Sequence, residues 1–412
     1  MKVRILAVVA AMAGPVYADD DVGSGAPPPD PLVELKKQVA ELQATVTELQ
    51  ATQDATAATP AQEPMFDLHG FIDMGLQKVY ATDPAGFEST AATFVLGNIN
   101  LYFGFHPAPH WSALAEVRFT NEPNGTALDP ANGIGDDTVR WGAIVLERAY
   151  IQYEHSRELG LRVGEFLTPF GIWNVDHGSP TVIPIVRPES MTQELFPQHQ
   201  VGVELYGENP DLLPGRWTGG YYAYVSNGRT PGDVDTTDDK MVGGRLEATC
   251  THPYQMKFGI SAMYGTYSDA TATTAEQVAY DEEGISGDGS IDFTNLRLRL
   301  EVTYRDVNYA MGKHPIEDGL YIPNQNIFNS YVVAAYRIPE TRYEPYVYAE
   351  LYHHNDDDGD FQAGSSAGMN VYFTPSIQLK LQAMYNRFYA DRTHVYTGVH
   401  ESFLGAKLVM GL

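Results

Sequence analysis

The chain has 412 residues with 53 acidic against 26 basic side chains, a formal net charge of −27, one cysteine and 26 tyrosines. So acidic a balance excludes a nucleic-acid binder built on a basic face, and the single Cys250 excludes an internal disulfide. Beyond the first residues no apolar run reaches the ~20 residues that a spanning helix needs.

In chain order, the first segment reads as a leader. Lys2 and Arg4 precede a short apolar run, Ile5 to Ala13, and Val16-Tyr17-Ala18 offers a small-residue cleavage site, so residues 1–18 are expected to be a signal peptide. Residues 19–31, acidic and then rich in Gly and Pro, form a linker. Over residues 32–50, Leu32, Val39 and Val46 take one heptad position and Leu35, Leu42 and Leu49 the other, which predicts a short coiled-coil helix. A second, low-complexity linker covers residues 51–64. Export without a spanning helix fits a periplasmic protein or a barrel in an outer membrane.

From residue 65 to 412 the period changes to two. Trp111, Ala113, Ala115, Val117 and Phe119 alternate with Ser112, Glu116, Arg118 and Thr120; Ile377, Leu379, Leu381 and Ala383 alternate with Gln378, Lys380 and Gln382. Such strands have one apolar and one wet face. Tight connections (106–110, 155–159, 251–254, 338–342, 374–376) alternate with long polar ones (121–139, 168–200, 227–239, 268–290, 313–327, 391–400). That rhythm is the one expected of a transmembrane antiparallel β-barrel, with its long loops outside. A tight turn at Arg305-Asp306, dividing 295–304 from 307–312, makes the strand count sixteen and leaves both ends of the barrel periplasmic. Tyrosines at 221, 222, 224, 343, 346, 348, 352, 385 and 389, with Phe388, read as interfacial girdles. The last strand, ESFLGAKLVMGL, alternates to its end at Leu412.

Four stretches, LERAYIQY (146–153), LRVGEFLTPFGIWNVD (161–176), YVSNGR (224–229) and YEPYVYAE (343–350), resemble the phosphate-selective porin O/P-like superfamily. The most specific is Gly164–Gly171, similar to GxFxxPFG. The resemblance implies a homotrimer of sixteen-stranded barrels in the bacterial outer membrane, with the coiled coil in the periplasm. It implies contact with membrane lipid and lipopolysaccharide, passage of small, often anionic, solutes, and no cofactor.

In a barrel the apolar parity faces lipid and the polar parity the lumen. In NLRLRLEV (295–302), Leu296, Leu298 and Leu300 then face lipid, while Arg297 and Arg299 face the pore. The same rule places Arg118, Arg148, Arg162, Arg245, Lys257 and Lys380 inside, with the acids Asp67, Asp73, Glu116, Glu154, Glu204, Glu247, Glu301 and Glu350. The excess acid is expected in loops such as 234–239, 281–288 and 356–360. Either the arginines brace the wall by pairing with carboxylates, Glu301 serving Arg299, or they form a track for anions, which their planar forks bind bidentately. The longest connection, 168–200, is the third outer loop. It holds Asp176, His177, Arg187, Glu189, Glu194 and His199, and too much apolar surface (Ile172, Trp173, Val182, Ile183) for free solvation. It is expected to fold into the lumen, where Arg187 would join the pore lining.

His353-His354 before Asp356, Asp357, Asp358 and Asp360 fails the spacing of a calcium loop, so no metal site is expected. Neither Ser261 nor Ser402 sits in a hydrolase signature, which leaves a passive, anion-preferring channel as the reading. A general or cation-preferring porin and a non-conducting structural or adhesive barrel are the alternatives.

Overall fold

The computed structural model describes residues 65–82, 91–124, 140–175, 177–213, 216–229, 240–268, 278–317, 320–355, 360–389 and 400–412. The leader, the heptad segment at 32–50, both linkers, Asp176 and the acidic stretches 234–239 and 356–358 lie outside the described residues.

Sixteen strands pair antiparallel with their sequence neighbours and close into one barrel. The first eight are β1 (Phe66–Thr82), β2 (Thr93–Ala108), β3 (Trp111–Asn124), β4 (Arg140–Ser156), β5 (Leu159–Leu167), β6 (His199–Leu213), β7 (Trp217–Ser226) and β8 (Met241–Cys250). Then follow β9 (Gln255–Ser268), β10 (Ala279–Asp292), β11 (Leu296–Tyr309), β14 (Gln325–Tyr336), β15 (Tyr343–Asn355), β16 (Asp360–Thr374), β17 (Ile377–Tyr389) and β18 (His400–Gly411). Two short strands, β12 (Ile316–Glu317) and β13 (Leu320–Tyr321), make a separate hairpin between β11 and β14. Closure is made by β1 on β18, with Ile72 opposite Met410 and Gln77 opposite Gly405. Leu412 adds a last bond, its N–H donating to Gly70 O at 2.8 Å.

The alternation read from the sequence becomes an inside-out molecule. Leu246 is 63% exposed beside Arg245 at 3%, and Val347 is 58% exposed beside Tyr348 at 3%. An apolar exterior over a polar interior is stable only against hydrocarbon, so the barrel spans a bilayer. Aromatic pairs mark the end with short turns, Trp111 on Tyr153 and Tyr254 on Phe293, each with ring centroids 4.9 Å apart. Phe361 and Tyr389, at 5.5 Å, mark the other end.

Three expectations are corrected. The stretch 279–292 is not loop but strand β10, paired with β9 and β11 throughout, and β11 runs unbroken through Arg305-Asp306. The count of sixteen survives because one false turn had replaced one missed strand. Glu282 and Asp288 of β10 therefore point inward, at 2% and 6% exposure, and the excess acid is not confined to loops. Thirdly, Tyr224, Tyr346, Tyr348 and Tyr352 are buried inside the barrel, Tyr222 faces inward beside Tyr206, and these five belong to no girdle.

The first four of those tyrosines line an interior apolar cluster. Phe170, Trp173, Ile183, Leu195 and Phe196, all from the connection between β5 and β6, pack against Tyr331, Val333, Tyr348, Met263 and Met384 of the wall. The connection folds into the lumen and carries one short helix, α1 (Glu189–Thr192).

Candidate functional site: a lumen divided by its inner loop

Two glycines shape the approach to the inner loop, Gly164 within β5 and Gly171 just beyond its end. Gly164 has φ +130°, and a Cβ there would stand 2.3 Å from Ala149 O. Gly171 has φ +66°, and a Cβ there would meet the Glu301 carboxylate at 2.4–2.6 Å. Both positions need glycine, on conformation and on space alike. They bound the stretch whose resemblance is most specific.

Beyond Gly171 the backbone is irregular, so its buried N–H and C=O groups need partners. Wall side chains supply them. Glu301 accepts from Ile172 N at 2.8 Å and Trp173 N at 3.4 Å, and Tyr331 OH donates to the same carboxylate. Ser179 Oγ donates to Asp73 at 2.6 Å, and Gln378 donates to Pro180 O at 2.9 Å. Lys380 Nζ donates to Val182 O, and Asn370 to Ile183 O at 3.2 Å. Gln382 Oε1 accepts from Ile185 N at 2.6 Å and Val186 N at 3.0 Å; Glu350 accepts from Glu189 N at 2.6 Å. At the far end Arg229 donates to the carbonyls of Glu194 at 2.9 Å and Leu195 at 3.4 Å while forking onto Glu282 at 2.7–2.9 Å. Arg305 holds the same carboxylate at 2.8 Å.

This placement sorts the expected pore-lining residues into two groups. Lys380 and Arg297 hold the loop; Arg297 reaches Thr181 O at 3.4 Å and Glu344 at 3.3 Å. Arg299 pairs with Asp292 at 2.5 Å. The expected pairing of Glu301 with Arg299 is not made, because Glu301 is given over to the loop. Arg245 is buried between Asp288 at 2.5 Å, Glu247 at 3.1 Å and Ser261 at 3.1 Å.

The second group, Arg118, Arg148 and Arg162, stands on β3, β4 and β5, on the side of the wall where the loop makes few bonds. Arg118 pairs with Glu147, Arg148 with Glu116 at 2.5 Å, and Arg162 with Glu204. In each pair the base is in front and the acid behind: the arginines keep 24%, 24% and 18% of their side chains exposed, the carboxylates 3%, 0% and 1%. Tyrosines stiffen the row. The Arg162 guanidinium lies 4.3 Å from the Tyr150 ring centroid and 4.9 Å from that of Tyr206, and Arg148 lies 5.5 Å from that of Tyr102. From the loop side, Arg187 acts on His177, whose Nδ1 lies 2.9 Å from Asn174 O. Burial, and then the charge of Arg187, hold the His177 imidazole below its ordinary pKa.

Among the described residues, four buried acids are not in the lumen set that strict parity predicts. Glu147 faces inward because the β3–β4 register shifts after Glu116, so the neighbours Glu147 and Arg148 both reach the lumen, against strict alternation. Glu282 and Asp288 were read as loop. Glu344 follows the parity of Tyr346 and Tyr348, which had been placed at a girdle. Ser261 bonds Arg245 and Gly171 N, and Ser402 lies opposite Tyr80 and Tyr385. Among the described residues no group of His, Cys, Asp or Glu is placed to hold a metal ion.

No protein-family model matches the chain. An uncharacterized protein of Aquifex aeolicus is 29% identical over 135 residues, which are 32% of this chain and 27% of the relative, so the match spans about a quarter of that protein. Among solved structures the chain is similar to an anion-selective porin from Comamonas acidovorans, with a TM-score of 0.56 and 13% identity over 84% of this chain and 99% of that one. It is also similar to OmpT of Vibrio cholerae, described as outer-membrane expressed (TM-score 0.52, 9% identity, 84% and 97% covered). The outer membrane channel DcaP of Acinetobacter baumannii scores 0.51, at 10% identity with 84% and 97% covered. At these identities the likeness is one of fold.

Proposed function

We propose that the protein is a passive diffusion channel of the bacterial outer membrane that prefers small anions, akin to the phosphate-selective porin O/P-like channels. The observation that carries the reading is the order of charges along β3, β4 and β5, arginine toward the lane and carboxylate behind it. A solute in the lane meets N–H donors, whose forks suit carboxylate and phosphate. Lys380, Arg245, Arg297 and Arg299 act mainly as braces, and Arg187, near enough to His177 to act on it, adds positive charge on the loop side. The reading includes assembly as a homotrimer, with residues 32–50 as a periplasmic coiled coil and lipid and lipopolysaccharide around the barrel.

The test is the reversal potential of single channels in a salt gradient. Wild type is expected to favour anions. Removing one arginine alone would strand a buried carboxylate, at a cost of ~3–5 kcal/mol. The paired exchange Glu116→Gln with Arg148→Gln keeps hydrogen-bonding groups and removes both charges. It should move the reversal potential toward zero selectivity, less so at high salt, where the Debye length falls to ~3 Å at 1 M. A cation-selective wild type would overturn the reading. The density of loop anchors favours one alternative, a barrel closed by its loop that serves a structural role; such a protein gives no channel steps at all.

A further inference from the structure

The loop and the wall enclose a cavity of about 150 Å³ between the GxFxxPFG-like stretch and strands β4–β8. That is the space of about five liquid water molecules. Its lining is of two kinds. On the wall stand Arg148, Arg162 and Tyr222; on the loop side stand Leu167, Pro169 and Val175. The Glu204 and Glu247 carboxylates also border it, but both are turned to bases, Glu204 to Arg162 and Glu247 to Arg245 at 3.1 Å and Lys257 at 2.9 Å. Neither presents a free acid, with 1% and 9% of the side chains exposed.

We infer that this cavity is a subsite for a small amphiphilic monocarboxylate, a carboxylate joined to one flat apolar ring. This deepens the reading of the protein as an anion channel and rests on it. The geometry constrains the ligand in two ways. The Arg162 guanidinium lies against the rings of Tyr150 and Tyr206, gives Nε and Nη2 to Gln152 Oε1 at 3.4 and 3.1 Å and Nη1 to Glu204, and is taken up by the wall. An anion in the cavity meets the Arg148 guanidinium instead, whose Nε is held by Glu116 at 2.5 Å and whose side chain stays 24% exposed. In the same cavity the ligand's body meets Leu167, Pro169 and Val175. Inorganic phosphate would lose water against these side chains and gain nothing for it, whereas a ring gains from burial. The most specific sequence motif thus contributes the apolar side of the subsite, and the arginine row the polar side.

The probes are benzoate, acetate and inorganic phosphate, each titrated calorimetrically into the full-length protein in detergent. Each is also applied to single channels as a blocker of chloride current. Benzoate is expected to bind and block about tenfold more tightly than acetate or phosphate, the gain of burying a ring. Val175→Ser, on an exposed loop position, should reduce the benzoate advantage several-fold and leave acetate unchanged. Equal binding of the three anions, or a Val175→Ser protein that keeps the full benzoate advantage, would overturn the subsite. An anion-selective channel without benzoate preference would sink this inference alone. A cation-selective channel would sink the functional reading, and calorimetry would still report on the cavity.

Discussion

Replacing Glu301 by leucine would leave the Ile172 and Trp173 amides buried against the wall with no acceptor. Each stranded group costs ~1–3 kcal/mol, enough to loosen the loop without unfolding a barrel held by sixteen strands. The expected outcome is a noisier single-channel current with larger open levels. Glu301→Gln keeps an acceptor oxygen and should stay close to wild type. His177 gives the loop a pH dependence of definite sign. The docked loop favours its neutral form, so the stabilisation is full above the ordinary imidazole value of ~6.5 and is lost as pH falls toward the depressed one. Glu116 and Glu147 oppose the depression and Arg187 adds to it. Conductance is therefore expected to rise or flicker on acidification below ~6.5, and His177→Gln should flatten that part of the profile. A profile unchanged by the substitution would show that His177 does not govern docking.

At the scale of elements, the inner loop has one helix of only four residues and is fastened by the wall as well as by its own bonds, such as Asn174 to Thr168 O at 2.8 Å. Arg229 clamps its far end by bonding two carbonyls and a shared carboxylate at once. Arg229→Ala should release that end and raise conductance modestly. Deleting about half of the loop should raise it clearly, and a folded deletion protein with unchanged conductance would place the loop outside the conducting path. Much of this was legible in the sequence. Strands such as β3 and β17 carry a clear period of two, and the apolar content of 168–200 already required a packing partner. β10 was illegible for a physical reason. Its outward positions include Asp281, Glu283, Gly287 and Gly289 and its inward ones Glu282, Ser286 and Asp288, so the apolar period vanishes although the ladder is complete. The candidate site was half legible. Parity put the arginines inside, but which of them hold the loop depends on partners 100–200 residues away, as with Gln382 and Ile185, 197 positions apart.

For the molecule as a whole, we expect assembly to rest on the barrel and not on the heptads. Fewer than three heptads make a marginal helix alone. We expect the detergent-purified protein to run as a trimer by light scattering, and to remain one when residues 19–64 are removed. A truncated barrel that runs as a monomer would give the helix the larger part. The long reach of the loop anchors also sets an order of events in time. The loop is made after β5, yet the cluster its apolar side chains join takes Tyr331, Tyr348 and Met384 from β14, β15 and β17, which emerge later. A nascent chain therefore carries Phe170, Trp173 and Phe196 unsheltered through half its own synthesis and export. Every delay between its two halves lengthens the interval in which a holding chaperone, and not the fold, keeps it from aggregating.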